Sequence, residues 1–154
     1  MLVKDIYHPN VKTIDQNIPI KEALNELMQF GVNGLIVIDD KNQVVGVLSA
    51  QDIAAATVPS QFRQNTQMAG AMYRKGFFTE MCQQIKDDPV STIMRKEFMS
   101  VNLETNIMAI TADFLKNDLY IVPVIENKNL IGIITRTEIN KALASGMEIK
   151  TNHG

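Results

Sequence analysis

The chain has 154 residues, 45% apolar and 21% charged, with a formal net charge of -2. This is ordinary globular material, long enough to bury roughly 70% of its unfolded surface without a disulfide or metal staple. Its single cysteine, Cys82, excludes an intrachain disulfide and favours a reducing compartment, while the scatter of His8, Cys82 and His153 lacks the spacing of a structural zinc site, so no metal is expected. Near-neutral charge and the absence of Trp argue against nucleic acid as a partner. The start, Met1-Leu2-Val3-Lys4-Asp5, has no signal-peptide core, and no apolar run approaches the ~18 residues of a membrane span. A soluble, cytoplasmic protein is the expectation.

In chain order, the first strong signal follows Pro19, a residue welcome in a first helical turn: Ile20, Ala23, Leu24, Leu27 and Met28 recur at helical spacing. Gly34–Ile38 and Val44–Leu48 are short apolar runs joined by the polar turn Asp39-Asp40-Lys41-Asn42, which predicts a buried hairpin. A helix from Ala50 to about Thr57 is predicted next. Residues 58–89 predict two short helices, one carrying Met68, Ala71 and Met72, the other Phe78, Met81, Cys82 and Ile85, with Gly76 between them. Their Met and Phe side chains suit either a cap on the protein's own core or an adaptable surface for a second subunit or partner. Cys82 lies on the apolar stripe of its helix with no histidine near it in sequence, which argues against a nucleophile. Beyond the insert, Thr105 is a plausible N-cap for a helix bearing Ile107, Ile110, Thr111, Phe114 and Leu115. A second hairpin is read in Ile121–Ile125, the turn Glu126-Asn127-Lys128-Asn129, and Leu130–Ile134. A final helix runs from Arg136 to about Ala144, with Gly146 as a natural stop.

These elements repeat. An offset of 87 residues superposes Val3 on Val90, Ile6 on Ile93, Ile20 on Ile107, Val37 on Val124 and Lys41 on Lys128. Deleting one residue near Gln43 changes the offset to 86, which aligns Gly46 with Gly132, Ile53 with Ile139 and Ala56 with Ala142. A single gap in a turn is what a duplicated fold tolerates best. Neither unit is large enough to bury its own faces, so two must pack together.

The order of elements, occurring twice, resembles the cystathionine-beta-synthase (CBS) domain family. The resemblance rests on Ile121-Val122-Pro123-Val124-Ile125, the strand Gly132-Ile133-Ile134-Thr135 and Thr135-x-x-Glu138, with Leu35–Asp39, Gly46–Ser49 and Ser49-x-x-Asp52 as the first-copy equivalents. It covers about residues 3–57 and 90–145. It implies an α/β (α+β) protein of two β-α-β-β-α repeats packed sheet to sheet with pseudo-twofold symmetry. The expected organisation is repeat 1 at 1–57, a helical insert at 58–89, repeat 2 at 90–146 and a tail at 147–154. The resemblance further implies a homodimer and clefts for adenosine derivatives: AMP, ADP, ATP or S-adenosylmethionine. Carried over, one cleft draws on Ser49, Asp52, Met94, Arg95, Lys96, Glu97, Met99, Ile121, Val122 and Pro123. A weaker one draws on Tyr7, Asn10, Lys12, Leu35, Ile36, Thr135, Arg136 and Glu138.

Ser/Thr-x-x-Asp/Glu has two meanings. A carboxylate fixed on the first turn of a helix suits the vicinal diol of a ribose. The same letters spell a capping box, in which the residue three places on reaches back to the cap's N–H. Thr135-Arg136-Thr137-Glu138 carries the preferred Glu and reads best as a cap; Ser49-Ala50-Gln51-Asp52 is the weaker box and the better ribose site. Pro123 lacks an N–H and leaves a ladder position open, where the first copy has Ile36. Arg95 and Lys96 are the first candidates for phosphates, and Arg136 for the other cleft; solvated surface charge is the plainer reading of all three.

No base and nucleophile pair is present, so a non-enzyme is expected: a stand-alone regulatory module that senses an adenosine ligand, needs no cofactor and acts on another protein. The alternative is a structural or interaction module with decayed clefts, working through dimerisation and the insert.

Overall fold

The computed structural model describes residues 1–71 and 74–150; Met72, expected from the sequence in the first insert helix, and His153 fall outside them. The elements in order are α1 (Val3–Ile6), β1 (Thr13–Asp15), α2 (Ile20–Phe30), β2 (Gly34–Ile38), β3 (Val44–Ser49), α3 (Ala50–Thr57), α4 (Thr66–Ala71), α5 (Phe77–Ile85), α6 (Ile107–Asn117), β4 (Ile121–Glu126), β5 (Asn129–Thr135) and α7 (Arg136–Gly146), with short 3₁₀ turns at Ser60–Phe62 and Val90–Thr92. The α/β class and the two repeated units read from the sequence are both present.

Two compact units result, and they do not coincide with the two sequence copies. One comprises Thr13–Lys96; the other joins Met1–Lys12 to Glu97–Gly154. Each unit therefore takes its lead segment from the other copy. Val3 is fully buried in a core with Val101, Ile110, Phe114, Val124 and Ile134, all from the second copy. Val90, its counterpart at the 87-residue offset, is fully buried with Ile20, Leu27, Leu35, Val37 and Leu48 of the first copy.

Within Thr13–Lys96, β1 pairs parallel with β2, which pairs antiparallel with β3. α2 presents Ile20, Ala23 and Leu27 to the core and ends at Gly31, whose φ of 61° suits a residue without a Cβ. The exit of α5 is tied to the start of α2: Ile20 N–H donates to the Asp88 carbonyl at 2.9 Å and Lys21 Nζ lies 2.8 Å from Asp87. The hydrogen bond from Lys21 holds the Asp87 carboxyl below its ordinary value. α5 packs on α3, so part of the insert covers its own unit.

The hairpins show where the one-residue gap falls. In the second copy Glu126 pairs with Asn129, leaving the two-residue turn Asn127-Lys128 with φ of 50° and 68°. In the first copy the turn is one residue longer and is closed by the Asp39 carboxylate, which accepts from Lys41 N and Gln43 N, both at 2.9 Å. Both hairpins carry a register shift at the same place, Val37/Ile38 and Val124/Ile125.

Three expectations need correction. The second copy's leading strand is reduced to the single bridge Val101↔Val124. In the first copy Thr13 pairs with Ile36, but Pro123 stands at the Ile36 position and has no N–H for the equivalent pairing. On the other side of the bridge, Leu103 N–H donates to the Glu126 carboxylate at 2.8 Å and so is diverted from the ladder. Second, the cap of α6 is Asn106, whose side chain accepts from Met108 N at 2.8 Å; Thr105 instead closes a turn with Asn102. Third, α7 runs through Gly146 to a cap at Met147, and the left-handed residue beyond it is Glu148, φ 58°.

Candidate ligand site

In the Thr13–Lys96 unit, β3 ends at Ser49 and α3 begins at once. Ser49 Oγ accepts from Asp52 N at 3.2 Å, and Asp52 Oδ2 accepts from Ser49 N at 2.8 Å and from the Ser49 hydroxyl at 2.9 Å. The short Asp thus closes a complete reciprocal box. The other carboxylate oxygen, Oδ1, accepts from Arg95 Nε at 2.9 Å. The pair is largely withdrawn from solvent: the side chains are 11% exposed for Asp52 and 31% for Arg95.

Arg95 is placed by its main chain. Its N–H donates to the Val47 carbonyl at 2.9 Å and its carbonyl accepts from Val47 N–H at 3.0 Å, two residues before Ser49 on the same strand. Gly46 makes that crossing feasible, since a Cβ there would stand 2.8 Å from Met94 Sδ and 2.9 Å from the Arg95 carbonyl oxygen.

The other unit repeats the scaffold with different chemistry. His8 and Ile133 exchange the same two backbone bonds, both 2.9 Å, beside Gly132. Thr135 caps α7, and Glu138 Oε1 accepts from Thr135 N at 2.8 Å and from Thr135 Oγ1 at 2.6 Å. His8 stands where Arg95 does, and Glu138, buried at 4% exposure, stands where Asp52 does. Arg136 lies over the Tyr120 ring at 3.9 Å; the Tyr120 hydroxyl donates to Asp118, and Phe114 meets the ring edge-on. Arg136 is thus partly engaged by an aromatic face.

Of the expected site residues, Ser49, Asp52, Met94, Arg95, Lys96, Leu35 and Ile36 belong to the Thr13–Lys96 unit. Tyr7, Asn10, Lys12, Glu97, Met99, Ile121, Val122, Pro123, Thr135, Arg136 and Glu138 belong to the other. Within the first set, Ser49, Asp52 and Arg95 touch directly, and Met94 lies against the Gly46 position. Leu35 and Val122 are core side chains of their own units. Lys96, Glu97, Asn10 and Lys12 are exposed. Nothing local in the sequence announces the Asp52–Arg95 pair, whose members are 43 residues apart.

The CBS domain family model matches residues 3–58 and 90–145, both copies and their caps. The chain belongs to the CBS domain family. A CBS-domain containing protein from Agrobacterium tumefaciens has the same fold, with a TM-score of 0.70 at 22% identity over 92% of each chain. A CBS domain pair solved in complex with 5′-methylthioadenosine and S-adenosyl-L-methionine superposes with a TM-score of 0.69 at 22% identity, over 93% of this chain and 99% of that one. Among curated relatives, an uncharacterized protein of Methanocaldococcus jannaschii is 28% identical over 92% of this chain, which spans 32% of that protein. An uncharacterized 17.7 kDa protein of Acidianus ambivalens is 26% identical, over 92% of this chain and 72% of its own. CBS domain pairs are in general regulatory and not catalytic, and the chain matches only 15% of an A-adding tRNA nucleotidyltransferase from Aquifex aeolicus. Among the described residues no helix is long and apolar enough to cross a membrane.

Proposed function

We propose that this CBS pair is a regulatory module that binds an adenosine-containing ligand of the AMP, ADP, ATP or S-adenosylmethionine class and acts as a cytoplasmic metabolite sensor. The observation that carries the reading is Asp52: a carboxylate oriented by Ser49 at the head of α3, with its second oxygen held by a cation from the crossing segment. A carboxylate fixed in this way on the first turn of a helix is the kind of group to which a ribose hydroxyl can donate. A CBS pair of the same fold solved with 5′-methylthioadenosine and S-adenosyl-L-methionine supports the ligand class. The lone cysteine fits a reducing compartment.

The test is calorimetric titration with AMP, ATP, 5′-methylthioadenosine and S-adenosylmethionine. At least one should bind and, at a hundredfold excess over its Kd, stabilise the protein by about 2.7 kcal/mol. No heat and no thermal shift with any of the four would discard the reading in favour of a ligand-free interaction module.

The proposed regulatory unit is a homodimer, paired through the α6–α7 face. Met108, Leu115, Leu143 and Met147 are exposed there, beside a groove of about 320 Å³ lined by Ile107, Thr111 and Ala142. In the Thr13–Lys96 unit α5 of the same chain packs on α3, the helix equivalent to α7. A second copy presenting the same exposed apolar face is the cover proposed for it. Light scattering should give a dimer mass that Leu143→Glu with Met147→Glu reduces to a monomer; an unchanged mass would place the contact elsewhere.

A further inference from the structure

We propose that the insert carries a small-molecule site of its own, for a short- to medium-chain acyl carboxylate, at the end of α3 away from Asp52. This site lies wholly within the Thr13–Lys96 unit and does not depend on the adenosine reading.

The cavity arises where the insert leaves the unit and returns to it. Val58, held extended before Pro59, ends α3, and Pro59 opens the 3₁₀ turn at Ser60–Phe62. The chain comes back at Gly76, whose φ of 88° precedes α5, and α5 packs on α3. These segments enclose a cavity of about 280 Å³ lined by Thr57, Val58, Pro59, Ala69 of α4, Phe77 and Phe78. The Thr57 hydroxyl donates to the Ala54 carbonyl at 2.7 Å, so the lining is apolar in effect. A sugar or a base edge would lose its water there for little return. An alkyl chain would not. The cavity sits at the small end of the ~300–1,000 Å³ usual for ligand pockets, which limits the chain to a few carbons.

Charge at the rim selects the head group. Arg74 lines the cavity beside Phe77, its guanidinium 6.0 Å from the ring centroid. Arg63 Nε donates to the carbonyl of Val58 at 2.9 Å, which places a second guanidinium next to a lining residue. No Asp or Glu occurs from Ile53 to Thr79, while Arg63, Arg74 and Lys75 all do, in a chain whose net charge is -2. Arg74 already meets one carboxylate, Glu80, at 2.6 Å, with side chains 65% and 52% exposed. A pair so open to water is weak and exchangeable, and the positive charge stays in excess with Glu80 counted. One apolar chain with one anionic head therefore satisfies both the lining and the rim.

The deciding measurement is calorimetry of the full chain with butyrate, hexanoate, octanoate and the neutral control octanol. Affinity should rise about three- to fourfold for each methylene added to the carboxylate. Octanoate should bind about three- to fivefold tighter than octanol, and Arg74→Gln should erase that preference. Ala69→Phe, which fills the cavity, should abolish octanoate binding in a protein whose circular dichroism matches wild type. A flat chain-length series in wild type, or octanol binding as well as octanoate, overturns the proposal without any variant. So does octanoate binding that survives Ala69→Phe. Association with phosphatidylglycerol vesicles in the absence of a saturable octanoate site would overturn it too, and would mark the patch as a lipid-facing surface.

Discussion

Replacing Gly132 with alanine should lower the unfolding free energy by about 3 kcal/mol, the upper end of the usual cost of overpacking. A Cβ at this position would stand 2.5 Å from Tyr7 Cδ2 and 2.6 Å from the His8 carbonyl oxygen. The ring can swing, but the carbonyl cannot, because it accepts from Ile133 N–H at 2.9 Å in the bridge that fixes the crossing segment. Relief therefore requires breaking that bridge and lifting the segment that carries Val3 into the core. For a chain of this size the loss corresponds to a fall of roughly 6–12 °C in Tm by calorimetry. Gly46→Ala should cost less, since its clashes at 2.8 and 2.9 Å are longer and one is with the flexible Met94 sulfur. Equal and negligible effects at both glycines would show that the crossings are looser than described.

The second large effect is on binding. Asp52→Ala should weaken AMP by about a hundredfold, since two hydrogen bonds to a charged acceptor are lost. The same change removes the capping box and should cost about 1–2 kcal/mol of stability. Ser49→Ala separates the two roles: it removes the hydroxyl from the cap but leaves the carboxylate its Ser49 N–H and Arg95 bonds, so stability should fall by about 1 kcal/mol with binding far less affected. If Asp52→Ala bound AMP as tightly as wild type, Asp52 would be a helix cap and nothing more.

The parts of the fold legible from sequence are those written locally. The hairpins follow from short apolar runs bounded by polar turns, and even the one-residue difference between the turns at Asp39 and Asn127 was visible as a change of offset. The loss of the second leading strand depends on which acceptor Leu103 N–H finds and on where Pro123 falls in a ladder, both matters of tertiary pairing. The cap at Asn106 displaces Thr105 for the same reason: Thr105 is already used by Asn102. At the site, Asp52 and Arg95 could each be singled out by type and position. Their joining could not, because it depends on the bridge between Arg95 and Val47. The exchange of lead segments was equally hidden, since Val3 aligns with the first copy yet is buried among residues of the second.

That exchange sets an order of events during synthesis. The unit of Thr13–Lys96 is continuous and can close once Lys96 has cleared the ribosome. The other unit needs both Met1–Lys12 and α7, so a segment made before the continuous unit must wait for one made after it. A break between the two copies would separate Val90 from its core and Val3 from its own. Neither half of the duplication, released alone, would hold the segment it needs, so two copies of one sequence pattern are obliged to mature as a single chain.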